Sequence, residues 1–282
     1  MVNRRDFLKG SAAIVGCAAL TGFAPSGKHR RLGVQLYTVR DQAEKDLPGT
    51  LAAIKKIGYD EVETYWNVYT HPAKELKKMI NDAGLEVHSG HFDYEGLESK
   101  LDYASELGLT YVICPMLPKN MWTSLDGFRR AADQFNLWGA DIRQRGMKFG
   151  FHNHNYEFKA FNGKTGFDTL MGDTEPKLVC LEMDCYWITQ AGEDPVAMMN
   201  KLGDRVKALH LKDREPGAAT SQTLDETAYH FAPVGTGTIN WKDVLATAEK
   251  HGITELFVEQ DYGDLAPIEE LRISYKNLRA IA

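Results

Sequence analysis

Cysteine is scarce in this chain, and none of it is spaced for a metal knot or a redox pair. The four are Cys17, Cys114, Cys180 and Cys185, in 282 residues. No CxxC pair and no zinc-finger spacing occurs, which argues against a zinc-ribbon scaffold and a thioredoxin-type motif. Cys114, Cys180 and Cys185 sit in apolar, strand-like runs, where they are expected as small buried residues. Cys180 and Cys185 share one strand and a short turn, a poor geometry for a disulfide. A basic excess is missing too. The 33 Lys and Arg stand against 39 Asp and Glu, a formal charge of −6. That balance gives no electrostatic attraction for nucleic acid. Neither GxGxxG nor a P-loop is present, so the common phosphate-cradling turns are absent. The apolar run near the start, Ala12 to Ala24, is too short to span a bilayer.

That short run is preceded by Arg4-Arg5-Asp6-Phe7-Leu8-Lys9. A charged segment followed by a short apolar one reads as a signal peptide. The twin arginine resembles the bacterial signal for export of proteins that fold first. Residues 1–30 are therefore expected to be a leader, with the mature protein exported to the periplasm. Ile14-Val15-Gly16-Cys17 also resembles a lipobox. A lipid anchor at Cys17 and simple cleavage near Ala24 both stay open, and an anchor there is the one expected contact with a membrane. The full chain is 43% hydrophobic and 26% charged, as in ordinary globular proteins.

From residue 31 the chain alternates apolar β-rich runs with amphipathic helices. The runs predict strands over 33–39, 61–66, 86–92, 110–117, 148–154, 178–185, 206–212 and 256–261. Helices are predicted over 43–57, 71–83, 94–106, 124–145, 166–172, 194–202, 241–251 and 267–281. Gly58, Gly84, Gly108, Gly146 and Gly252 stand where helices end. Strands alternating with helices imply parallel βαβ units. Eight units without a linker imply one α/β domain, a closed (β/α)8 TIM barrel over 31–282, rather than an open sheet. The longest loop, 213–238, follows the seventh strand, at the face that shapes substrate pockets in such barrels.

Parallel strands buried on both faces are normally apolar. Here the later ones end in ionisable residues. Strand five ends His152-Asn153-His154, followed by Asn155-Tyr156-Glu157. Strand six ends Glu182-Met183-Asp184, strand seven His210-Leu211-Lys212-Asp213, and strand eight Glu259-Gln260-Asp261. Alternation places each ionisable pair on one side of its strand. Four neighbouring strands thus bring acids and histidines to one barrel mouth. Confined carboxylates repel, and a divalent cation relieves that repulsion. Mixed His, Asp and Glu ligands suit Mn²⁺, Co²⁺, Zn²⁺ or Mg²⁺. Glu63 on strand two and His91 on strand three are candidates for the substrate pocket or for orienting ligands. Trp66, Tyr186 and Trp187 fall at strand ends, for stacking on a sugar ring or for capping the core.

Those residues carry a resemblance. Gly33-Val34-Gln35-Leu36-Tyr37-Thr38-Val39-Arg40-Asp41, Phe151-His152-Asn153-His154, Glu182-Met183-Asp184-Cys185-Tyr186-Trp187, His210-Leu211-Lys212-Asp213, Gly235-Thr236-Gly237 and Val258-Glu259-Gln260-Asp261 resemble the xylose isomerase-like barrel superfamily. It includes sugar phosphate isomerases and epimerases, and the likeness covers roughly 31–282. The resemblance implies a metal held by Asp184, His210 and Glu259, with His152 where epimerases have Glu. Glu157 is an alternative ligand or a base. The His-Asn-His form looks like exported relatives that act on keto-sugars or cyclitols, including dehydratases and 3-keto-glycoside lyases.

The resemblance further implies removal of a proton beside a carbonyl. Glu157, His154 and Lys212 are the expected catalytic groups, with Glu259 a second candidate base. Glu63, His91, Glu182, Trp187 and Asp261 are expected to contact a small sugar or keto-glycoside. A non-catalytic sugar-binding barrel, a metal-free hydrolase with paired carboxylates and a metal-dependent phosphodiesterase are the rival readings. Oligomeric state is left open.

Overall fold

The computed structural model of the protein describes residues 30–224 and 229–281. The leader, its cleavage and the lipobox at Cys17 lie outside the described residues. Eight parallel strands close into a barrel: β1 (Gly33–Gln35), β2 (Glu61–Thr64), β3 (Glu86–His91), β4 (Tyr111–Cys114), β5 (Lys148–His152), β6 (Val179–Asp184), β7 (Val206–Leu211) and β8 (Glu255–Val258). The seam pairs β1 with β8, Gly33 opposite Phe257. Gly33 has no room for a side chain. A Cβ there would lie 2.4 Å from the Phe257 ring and 2.8 Å from Glu61 Cγ.

Helices pack outside the strands. Leu125–Gln144 shows why they form: Phe128, Ala131, Ala132, Phe135, Trp138 and Ile142 are buried at helical spacing. Ser124 caps its start, accepting from the Gly127 N–H at 3.3 Å. Gly146, at φ 79°, follows its end. The other four glycines expected after helices also have positive φ. Among the described residues, no helix is long and apolar enough to cross a membrane.

Four expected elements differ; the helix predicted over 94–106 is a 3₁₀ turn over Leu97–Lys100 and an α-helix over Leu101–Leu107. Strand one stops at Gln35, because its side chain accepts from the Tyr37 N–H at 3.1 Å and starts a 3₁₀ turn over Leu36–Val39. The helix predicted over 43–57 is two helices, Arg40–Lys45 and Leu47–Ile57. Asp46 breaks it and caps the second, accepting from the Gly49 N–H at 3.0 Å. The run 178–185 ends at Asp184, which caps a helix over Cys185–Gln190. Tyr186 and Trp187 therefore stand on a helix rather than at a strand end. Cys114, Cys180 and Cys185 are unpaired thiols.

Candidate metal centre and active site

The ionisable strand ends meet in the barrel mouth, stacked in two layers. Glu63 forms the floor. Its neighbours across the ladder are Gln35 of β1 and Ser89 of β3. Gln35 Nε2 donates to Glu63 Oε2 at 2.7 Å, and Ser89 Oγ donates to Oε1 at 2.5 Å. His91 Nε2 lies 2.7 Å from Glu182 Oε2 and 3.2 Å from Glu63 Oε2. His210 spans both layers. Its Nε2 is 2.7 Å from Glu63, and its Nδ1 is 2.9 Å from Glu259. The rings of His91 and His210 stack with centroids 5.3 Å apart.

Above this floor, His152, Asp184, His210 and Glu259 bring one ligand-type atom each to within 4.8 Å of one another. They come from the ends of β5, β6, β7 and β8, and all four are buried. A second set, His91, His152, Glu182 and His210, shares two members and lies deeper. Asp184 is held by the backbone: its Oδ1 accepts from the Trp187 N–H at 2.8 Å, and its own N–H donates to Asn153 Oδ1 at 3.1 Å. Its Oδ2 is buried without a hydrogen bond. That oxygen faces Lys212 Nζ at 3.3 Å and His152 Nε2 at 3.8 Å. Several buried carboxylate oxygens and imidazole nitrogens gathered this closely are the donor set a divalent cation takes.

Lys212 is 2% exposed and sits among three carboxylates: Glu259 at 2.7 Å, Asp261 at 2.9 Å and Asp184 at 3.3 Å. Burial works against its charge, but those acids hold its pKa well above the ordinary value. Burial likewise opposes the charge on His91, yet Glu63 and Glu182 raise it to about 9. Burial, then His210, keeps His152 neutral, as an imidazole ligand must be. Burial and Lys212 lower His154 to about 3. Burial raises Asp184 to about 6, against the pull of Lys212.

Four expected residues take other positions. Glu157 turns back on its own chain, its Oε2 accepting from the His154 N–H at 2.9 Å. Its carboxyl is not among the atoms gathered near Asp184, and burial raises it to about 8. His154 lies beyond the end of β5, stacked on Tyr156, and its Nδ1 has no hydrogen-bond partner. Trp187 is buried with Tyr186 and Phe231 in a small apolar cluster over the mouth. Trp66 packs on Tyr37 and Tyr65. Sequence reasoning did not assign Gln35, Ser89 and Asn153 to the site. The available signal was polarity inside strands that ought to be apolar throughout.

Residues 51–280 match the xylose isomerase-like TIM barrel family, and the chain belongs to it. Residues 1–21 match the twin-arginine translocation signal sequence, so the chain carries an export signal. The chain is similar to the inosose dehydratase of Geobacillus thermodenitrificans, 24% identical over 72% of this chain and 79% of that protein. It is also similar to the inosose dehydratase of Clostridium beijerinckii, 26% identical over 52% of this chain, and there it spans only 57% of the relative's length. Among solved structures, a sugar phosphate isomerase/epimerase from Parabacteroides distasonis aligns with TM-score 0.75 and 25% identity, covering 91% of this chain and 96% of that one. The IOLI protein with a bound zinc atom aligns with TM-score 0.68 at 15% identity, over 89% of this chain and 97% of that one, a likeness of fold.

Proposed function

We propose that this protein is an exported, divalent-metal-dependent enzyme that removes the proton beside the carbonyl of a sugar or keto-sugar in the periplasm. The observation that carries this reading is the convergence of His152, Asp184, His210 and Glu259, one ligand-type atom from each within 4.8 Å of the others. These four would hold the cation. When bound, it would supply Lewis-acid polarisation of the substrate carbonyl.

The chain's own groups do the rest. Lys212, cationic among its carboxylates, donates to the oxygen where negative charge grows. His154, neutral and with an unpartnered Nδ1, is free to hydrogen-bond the substrate. Glu157 braces the His154 backbone. Glu182 keeps Oε1 without a hydrogen bond, suited to a substrate hydroxyl. Glu63 and His91 hold Glu182 and His210 in place below. Asp261 and Trp187 border the substrate at the mouth, through Lys212.

A second reading shares this first step and ends in loss of a β-hydroxyl, a dehydration of a keto-cyclitol. The names of the curated relatives favour it. Metal analysis of residues 31–282 tests the centre. One equivalent of divalent metal is expected, and none in an Asp184→Ala, His210→Ala double variant. The loaded protein is expected to exchange the α-proton of a keto-sugar or inosose in deuterated water, with chelator abolishing exchange. Loaded protein that exchanges none of them refutes the proposal. Loss of 18 mass units from the product separates dehydration from epimerisation.

A further inference from the structure

The ionisable cluster is covered. His210 and Asp184 are fully buried, and His154 is only 9% exposed. Groups buried to that degree are reached by a ligand only when part of the cover moves aside. The cover has layers. Lys212 Nζ lies 5.5 Å from the centre of the Trp187 ring and 5.4 Å from that of Phe231. Leu224, in the long loop after β7, packs in turn against the cluster that those two rings make with Tyr186.

The stretch leading to Leu224 is held differently from the barrel. None of residues 215–224 is buried, so apolar packing contributes little to its stability. Polar side chains grip its main chain instead. Arg214 Nη2 donates to Ala218 O at 2.6 Å, and Gln190 Nε2 to Ala219 O at 3.1 Å. The Ser221 N–H donates to Gln190 O at 2.8 Å. Asn155 Nδ2 donates twice, to Ser221 O at 2.9 Å and to Thr223 O at 3.0 Å. Asn155 is 1% exposed and its Oδ1 takes no hydrogen bond, so the two carbonyls alone orient its amide. Gly217, at φ 78° with open space where a Cβ would stand, gives the stretch a pivot. Asn155 also directly follows His154 and opens the 3₁₀ turn Tyr156–Phe158, whose Glu157 holds the His154 N–H.

We infer that residues 217–224 form a strap that swings aside to admit ligands to the buried cluster, and that Asn155 is the positioning residue that latches it shut. Gates of this kind come from the least stable parts of a fold, and this stretch is held by a few hydrogen bonds at the surface. The latch belongs to the same turn as His154, so closing the strap and seating that imidazole are one event. The inference goes beyond the proposed function and rests on it only for the cation used as one probe.

The test compares the parent, residues 31–282, with two variants. Asn155→Ala removes both bonds, and Asn155→Asp, of the same shape, sets a carboxylate against both carbonyls. In metal-free protein, hydrogen exchange at the Ser221 amide is expected to be about 30-fold faster in Asn155→Ala, the combined worth of two ordinary hydrogen bonds. Exchange at Leu209 in β7 is expected to match the parent. Diethyl pyrocarbonate, which acylates neutral imidazole, is expected to label His154 faster by a similar factor, located by peptide mass. Release of Zn²⁺ from the loaded protein to a chelator should quicken likewise. Faster Ser221 exchange with His154 labelling and Zn²⁺ release at the parent's rates overturns the gate. Unchanged Ser221 exchange in both variants overturns the latch. In the parent alone, a Ser221 amide as protected as that of Leu209 overturns the inference, whatever the variants do. A protein that takes up no Zn²⁺ sinks the proposed metal centre and leaves the gate to be decided by the labelling of His154.

Discussion

Asp213 ties the long loop after β7 to the barrel, and its replacement by Asn should loosen the loop measurably. Its carboxylate is buried and accepts five hydrogen bonds. Oδ1 takes the N–H groups of Arg214 at 2.8 Å and Ile239 at 3.2 Å. Oδ2 takes those of Gly235 at 2.8 Å and Gly237 at 3.0 Å, and the Trp241 indole N–H at 2.7 Å. Whichever way an Asn amide turns, its NH₂ faces at least two of these donors. Two bonds to a charged acceptor, at about 1.5–3 kcal/mol each, put the loss near 3–6 kcal/mol. For a domain of this size that corresponds to a fall of roughly 10 °C in Tm. Thermal unfolding followed by circular dichroism measures it. Amide exchange at Gly235, Gly237 and Ile239 should quicken in step. A fall below about 2 °C with unchanged exchange would refute the reasoning, because the five bonds would then contribute nothing net.

Two further outcomes follow from buried charge. Lys212→Met should destabilise the metal-free protein by about 3–5 kcal/mol, since three buried carboxylates lose their cation. Added Mn²⁺ or Zn²⁺ should restore part of that loss in denaturant titrations; a metal-free variant as stable as the parent would show the carboxylates to be protonated. Glu61, 1% exposed at the start of β2, has its pKa raised by burial to about 8, with Arg31 opposing from 3.3 Å. A folded pKa above the unfolded one means the native state holds the extra proton, so stability falls as pH rises from about 4.5 to 8. Glu61→Gln should remove that fall, adding about 2–4 kcal/mol at pH 9 and nothing at pH 4. Equal urea midpoints for parent and variant at both pH values would contradict it.

Much of this fold is legible in the sequence because period and punctuation agree. Apolar runs, amphipathic stretches and the glycines after helices mark all eight barrel units. The gathering of His152, Asp184, His210 and Glu259 follows from where strands end, which the alternation of side chains makes readable. What escaped is which side chains bond one another across neighbouring strands. Gln35, Glu63 and Ser89 form one hydrogen-bonded floor only because three strands lie in register. The helix at Cys185 was hidden for another reason. Cys-Tyr-Trp-Ile is apolar throughout, so it continues the pattern of β6, and only the cap at Asp184 separates the two. Asn153 and Glu157 bind main-chain N–H groups, a role that no periodicity reports.

The barrel seam carries a consequence for the order of events in the cell. Gly33 meets Phe257, and Gln260 donates to Thr38 across 222 residues of chain. Closure therefore waits until nearly the whole chain has been synthesised. Contacts of such long range form slowly. The export signal, by contrast, occupies the first 21 residues and emerges from the ribosome first. The floor of the site draws Gln35, Glu63 and Ser89 from early strands, and its upper layer draws His210 and Glu259 from late ones. An N-terminal fragment of this chain thus holds an address without a site. An export route that accepts only folded cargo would leave it behind, so the seam acts as a checkpoint on completeness as well as a joint in the sheet.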